Sequence, residues 1–263
     1  MTATVEQTGH RPTLRGRSRA RDAFGGGIPL ALVAIAVTVA GFWPSFFSRL
    51  GEVPAAHMVH GMLATGWLVL VLVQASFIRL RRVSWHRFLG WLSVAWFVLL
   101  IATSCYMVII MMAGTGPNPI PFDKAKIFAF SDVTALPLFI FAYAGAIYWR
   151  RDRHVHSRLM VITVVAGLLP AVARFFFGLM VAVGMVSVDG AMRLEGLTEA
   201  MHPTYIFVLV VLAIVILIDW NKDRLRWPFP FAFAWFAINY ATFFPGLSSQ
   251  WFDTVARGIA ALG

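Results

Sequence analysis

Apolar residues in this chain gather into blocks of about twenty, the length a helix needs to cross the ~30 Å hydrocarbon core at 1.5 Å per residue, and basic residues gather in short clusters between them. Blocks of that length occur at 28–47, 57–78, 88–113, 125–149, 157–185, 203–219 and 228–247. They predict an all-α, polytopic membrane helix bundle of about seven transmembrane helices. Composition agrees: 13% of the 263 residues are charged, about half of the ~25% usual in soluble proteins.

The basic clusters set the orientation. One side of the alternation carries Arg11, Arg15, Arg17, Arg19 and Arg21, then Arg79, Arg81, Arg82 and Arg87, then Arg150, Arg151, Arg153 and Arg158, then Lys222, Arg224 and Arg226. These are sixteen of the 22 basic residues, and the other side holds five. The positive-inside rule places the richer side, and with it the N-terminus, in the cytoplasm, and the C-terminus outside. Trp85, Trp149, Trp220 and Trp227 mark the same boundary, as an interfacial aromatic belt does. The expected location is a bacterial cytoplasmic (inner) membrane.

Three segments follow from this reading. Residues 1–27 form a polar basic tail ending in three glycines, expected to be disordered and cytoplasmic. A basic stretch before an apolar one also resembles a signal peptide, but the first block is long and its Ala34-Ile35-Ala36 triplet lies inside it, so it reads as a retained helix. Residues 28–247 form the membrane domain. Residues 248–263 carry Trp251, Phe252, Val255, Ile259 and Leu262 at helical spacing, the pattern of an amphipathic interfacial helix on the outer surface or of a frayed terminus.

Several function classes are disfavoured. The net charge of +10 is distributed as topology signals, with no continuous basic face for nucleic acid. The single cysteine, Cys105, permits no disulfide within the chain and reads as a small buried apolar residue. No P-loop, nucleophile elbow or dinucleotide fingerprint occurs.

Ionisable groups inside spans are costly, ~2.5–3.5 kcal/mol each on insertion scales, so their depths matter. Counted from the inner end of each span, His60, Cys105, Tyr106, Asp132, Arg174 and His202 all lie ~24–28 Å up, one layer in the outer leaflet. His57 sits one turn above His60 on the same helix face. His57, His60 and His202 with Asp132 offer nitrogen and oxygen ligands suited to zinc, iron or copper. A histidine of the second span and His202 can alternatively be the axial ligands of a haem. Arg174 would then meet a propionate or neutralise Asp132. A structural Asp132–Arg174 ion pair with interfacial histidines is the competing reading. Pro170 and Pro137 lie near Arg174 and Asp132, where a proline bends the helix and frees a carbonyl.

A second group lies at the cytoplasmic rim. His86 and Arg87 open the third span; His154, His156 and Arg158 open the fifth. His86 with His156 can hold an inner haem or metal, while the arginines can bind lipid phosphate.

The motifs His60-Gly61, His86-Arg87-Phe88-Leu89-Gly90 and His156-Ser157-Arg158-Leu159-Met160, followed by Arg174, resemble those of a bacterial family of predicted membrane proteins of unknown function with HR-x-LG and H-x-R-x-M motifs. The likeness covers roughly residues 57–175 and implies no established activity. There is a looser similarity to the di-haem transmembrane cytochromes b, which place histidine pairs near both membrane faces on alternating helices. It implies haem b on His86 and His156, but Asp132 stands where an outer histidine would be expected. Three functions are thus expected to compete: a membrane redox protein carrying haem b or another transition metal (Fe, Cu or Zn), fed by quinol; a metal-dependent membrane enzyme acting on a lipid or apolar substrate in the outer leaflet; and a non-enzymatic subunit of a membrane protein complex.

Overall fold

In the computed structural model, which describes residues 27–116, 119–185, 195–222 and 224–263 (side chains within 195–197 excepted), every regular element is a helix. In chain order these are α1 (Gly27–Phe42), α2 (Ala55–Arg79), α3 (Val83–Ala113), α4 (Phe122–Tyr148), α5 (Arg153–Ala182), α6 (Glu195–Trp220), α7 (Pro228–Leu247) and α8 (Gln250–Ala260), with a short 3₁₀ turn at Phe47–Glu52. Five of them, α2 to α6, are long and apolar enough to cross a membrane. The apolar helix α1 has 16 residues and α7 has 20. The expected basic tail lies almost wholly outside the described residues, as does much of the segment 186–202 between the fifth and sixth apolar blocks, whose last part forms the start of α6.

Local chemistry fixes the helix ends. Asp152 caps α5, its carboxylate accepting from the His154 and Val155 amides, two of the donors a helix start leaves unpaired. Gly114 ends α3 in the left-handed region at φ 67°, where its N–H reaches the carbonyls of Ile110 and Met111. Proline precedes α2 and α4 and opens α7, where its missing N–H costs nothing.

The bundle is built around α5. It packs against α1, α2, α4, α6 and α7, and most of its apolar side chains are buried. On the periphery, α3 exposes Trp91, Leu92, Val98 and Leu99 along one face, as a lipid-facing helix does. Cys105 is also exposed on α3, against the expectation of burial, because its helix turns that face away from the core. Small residues let backbones approach where α1 crosses α5: Ala31, Ala34 and Gly41 are buried there against a stretch containing Ala171.

The C-terminal helix differs in part from the sequence expectation. Residues 250–260 are helical, with Ser249 accepting from the Phe252 amide as the cap. The apolar stripe divides, however. Phe252 and Ala256 are buried, with Phe252 4.9 Å from the Phe130 ring of α4, while Trp251 and Leu262 stay exposed. Lys126 of α4 pairs with Asp253, and the Arg257 guanidinium lies 5.3 Å from the Phe122 ring. Thus α8 folds back onto the ends of α3 and α4.

Lys126 donates a hydrogen bond to Asp253, and this holds the Asp253 carboxyl below the usual carboxylate range. A lowered folded-state value means the contribution of this latch is complete above ~pH 4, the ordinary aspartate range, and is lost as pH falls through the lowered value. Hydrogen exchange across α8 is expected to stay slow from pH 7 to pH 4 after correction for intrinsic rates and to rise below that. Asp253→Asn should show the fast exchange at every pH. Equal protection of α8 in wild type and variant at pH 7 would rule the latch out.

Candidate functional site: two polar layers

The helix hairpins put the ends of α2, α4 and α6 and the starts of α3, α5 and α7 on one side, the arginine-rich end. There His86 of α3 and His156 of α5 meet with ring centres 6.2 Å apart and planes at 88°. The His156 Nδ1 lies 2.8 Å from the Ala146 carbonyl of α4. A carbonyl can only accept, so Nδ1 carries the proton and Nε2 keeps its lone pair. On His86, Nδ1 is buried without a partner, and the Gln74 carbonyl lies close to the ring. Gln74 itself is buried, with Oε1 also unpartnered.

Beside the histidines, Arg158 is completely buried. Its Nε donates to Asp219 of α6 at 2.5 Å, Nη1 to the His154 carbonyl at 2.8 Å and Nη2 to the Arg224 carbonyl at 3.2 Å. The Phe229 ring covers it at 5.8 Å. Three hydrogen bonds, one of them to a carboxylate, satisfy most of the guanidinium fork, which makes burial of the charge tolerable. Arg158 is therefore used inside the protein and not presented to lipid phosphate. Arg87, by contrast, is exposed and free to reach headgroups. His154 enters the cluster through its backbone carbonyl.

From this end an aromatic column runs into the bundle. Ser93, two turns above His86, lies 2.8 Å from the Tyr143 hydroxyl. Tyr143 stacks on Phe97 at 4.2 Å and meets Trp67 edge-on at 5.2 Å, and Trp67 donates to Thr163 at 3.2 Å. The column joins α2, α3, α4 and α5 through rings whose polar tips all have partners.

At the opposite end, His60 Nδ1 lies 3.3 Å from the Thr103 hydroxyl. His57 Nδ1 is buried and unpartnered. His57, His60, Arg174 and Asp132 form a chain of neighbours close enough to feel one another's charge. Arg174 and Asp132 do not form a direct ion pair; the guanidinium lies between the Phe42 ring at 4.5 Å and the Phe128 ring at 5.3 Å and donates to the Pro170 carbonyl at 3.1 Å. His202 turns elsewhere. It stacks on Phe244 at 4.2 Å and shares a 2.9 Å hydrogen bond with Tyr240, both of α7.

Among the described residues, no three histidine, cysteine, aspartate or glutamate side chains converge on a point that could hold a metal ion. The expected set of His57, His60, Asp132 and His202 is thus not assembled as one ligand shell, because α6 directs His202 toward α7. Depth placed these residues at one level, but helix rotation decided which of them meet. Asp219 was missed by sequence reasoning. Its signal was available: an acid ending an apolar block, immediately before a belt tryptophan.

No protein-family model, no curated protein and no solved structure matches the chain.

Proposed function

We propose that this membrane protein is a redox carrier of a bacterial cytoplasmic membrane, with its arginine-rich end in the cytoplasm, and that His86 and His156 hold its transition metal. The observation that carries this reading is the contact between these two rings. Two metal–nitrogen bonds of ~2.0–2.1 Å, with ~1 Å from each nitrogen to its ring centre, span about 6 Å; the rings are 6.2 Å apart. The Ala146 carbonyl holds His156 in the tautomer that offers Nε2, the arrangement outer-shell partners give to ligating histidines. The metal supplies one-electron chemistry when bound. The chain's own part is to orient the imidazoles, and Arg158, buried one helical turn from His154, fixes the start of α5 that carries His156.

The test is elemental analysis and an absorption spectrum of protein purified from its native membrane. A Soret band identifies haem b on the pair, whereas stoichiometric iron or copper without that band identifies a single ion. His86→Ala and His156→Ala are each expected to lower metal occupancy about tenfold or more at equal protein yield. Protein with neither haem nor metal sinks the proposal, as does metal retained by both variants.

A further inference from the structure

The turn between α2 and α3 concentrates charge that nothing near it answers. Arg79, Arg81, Arg82 and Arg87 fall within nine residues, and all four are exposed. None of their side chains hydrogen-bonds to, or pairs with, any described residue. No partner is close in sequence either: from Val53 to Phe122, a stretch that holds the whole α2–α3 hairpin, there is no aspartate or glutamate. The neighbouring turns at this end differ. Asp152 stands at the start of α5, and Asp219 at the end of α6 pairs with Arg158. Four like charges held together repel one another, and an external anion relieves that repulsion.

One of the four occupies a position that suits another residue better. The end of α2 is closed by the Arg82 amide on the Phe77 carbonyl at 2.8 Å and the Arg81 amide on the Ile78 carbonyl at 3.1 Å. This motif puts Arg81 in the left-handed region at φ 59°, alone among the described non-glycine residues. Glycine enters that region without strain. What arginine adds there is a guanidinium.

Beside the arginines the surface turns apolar and aromatic. Ser84, Trp85 and Phe88 line an open hollow of about 480 Å³. The Trp85 ring lies 6.4 Å from Phe77 and 6.1 Å from Phe88, and its exposed indole N–H has no acceptor among the described residues. Trp91 and Leu92, one turn beyond Phe88, extend the same exposed face along α3. Guanidinium donors at the turn, then a free indole N–H, then an apolar face leading into the span follow the order of phosphate, glycerol and acyl chain in a phospholipid. A soluble anion or an acidic protein segment would use only the first of these.

We propose that the α2–α3 turn binds an anionic phospholipid, with its phosphate on the guanidinium groups of Arg79, Arg81 and Arg82 and its chains along Trp85, Phe88 and Trp91. Guanidinium–phosphate hydrogen bonds are charge-assisted and directional, which makes this a discrete site within the general attraction of basic loops to an anionic leaflet. It stands independently of the redox reading.

Native mass spectrometry of the full-length protein in a neutral detergent, titrated with phosphatidylglycerol or phosphatidylcholine of identical chains, tests this. Wild type is expected to bind one phosphatidylglycerol about tenfold or more tightly than phosphatidylcholine. Arg81→Gly and Arg82→Gln should each weaken phosphatidylglycerol binding about fivefold, the loss expected for one basic residue at a membrane surface, and leave phosphatidylcholine unchanged. Arg81→Gly should also melt no lower than wild type in lipid-free detergent, because glycine suits the turn; the lost affinity is then not lost folding. The double variant Arg150→Gln with Arg151→Gln, at the next turn, should bind as wild type does. Equal binding of the two lipids by wild type overturns the inference, as does unchanged affinity in both Arg81→Gly and Arg82→Gln. An equal loss in the Arg150 and Arg151 double variant would reduce the effect to net charge and overturn it too. Full displacement of the lipid by glycerol phosphate at matched concentration would make the occupant a soluble anion, and the lipid site would fall.

Discussion

Arg158→Ala is expected to destabilise the protein by about 3–5 kcal/mol, the range for removing one partner of a buried ion pair. The loss is large because Asp219 is itself buried and would remain as an unpaired carboxylate. The guanidinium's bonds to the His154 and Arg224 carbonyls would be lost at the same time. Arg158→Lys should recover only part of the loss, since an ammonium cannot reproduce the planar fork that reaches α6, α5 and the segment before α7 together. The pair Arg158→Met with Asp219→Leu should be milder than either single change, because no charge is then stranded. Unfolding by denaturant in a fixed detergent compares wild type with each of these variants. Single variants within 1 kcal/mol of wild type would show that the pair holds nothing together.

The second large effect is expected at Gly41. A side chain there would place Cβ 2.3 Å from the Ala171 carbonyl oxygen of α5. The obstacle is helix backbone, which no rotamer change can remove, so α1 must move away. Gly41→Val should therefore exceed the ~1–3 kcal/mol typical of core overpacking. It should also pull Phe42 from its place 4.5 Å over Arg174. Gly61 offers a graded comparison: its added Cβ would meet the Phe46 ring at 2.4 Å, but that ring belongs to a side chain that can swing. Gly178 has open space and serves as the neutral control. The expected order of melting temperatures is Gly178→Val above Gly61→Val above Gly41→Val. A Gly41→Val protein as stable as the Gly178 control would refute close α1–α5 packing.

These two sites show what was legible in the sequence and what was not. Helix positions were: the blocks at 57–78 and 125–149 match α2 and α4 to within a few residues at each end. Hydrocarbon thickness fixes the length of an apolar run, and rise per residue fixes depth along it. Depth alone put His60, Asp132 and Arg174 at one level, and His60 and Asp132 each lie within the field of Arg174. It put Cys105, Tyr106 and His202 at that level too, yet α3 turns Cys105 and Tyr106 outward and α6 turns His202 toward α7. Rotation about a helix axis depends on which neighbour supplies the best packing, and near-uniform apolarity on every face hides that choice. Partnership across helices was hidden for the same reason. Asp219 and Arg158 are 61 residues apart, and nothing local to either names the other.

That separation has a consequence for how the molecule is made. When α5 leaves the ribosome and enters the bilayer, its arginine has no carboxylate to meet, because Asp219 ends a helix not yet synthesised. Arg158 must remain at the water boundary until α6 arrives, and only then can the start of α5 settle into the bundle. The last residues of α6 thus complete the start of α5: a chain stopped short of Asp219 carries an arginine whose carboxylate partner does not exist.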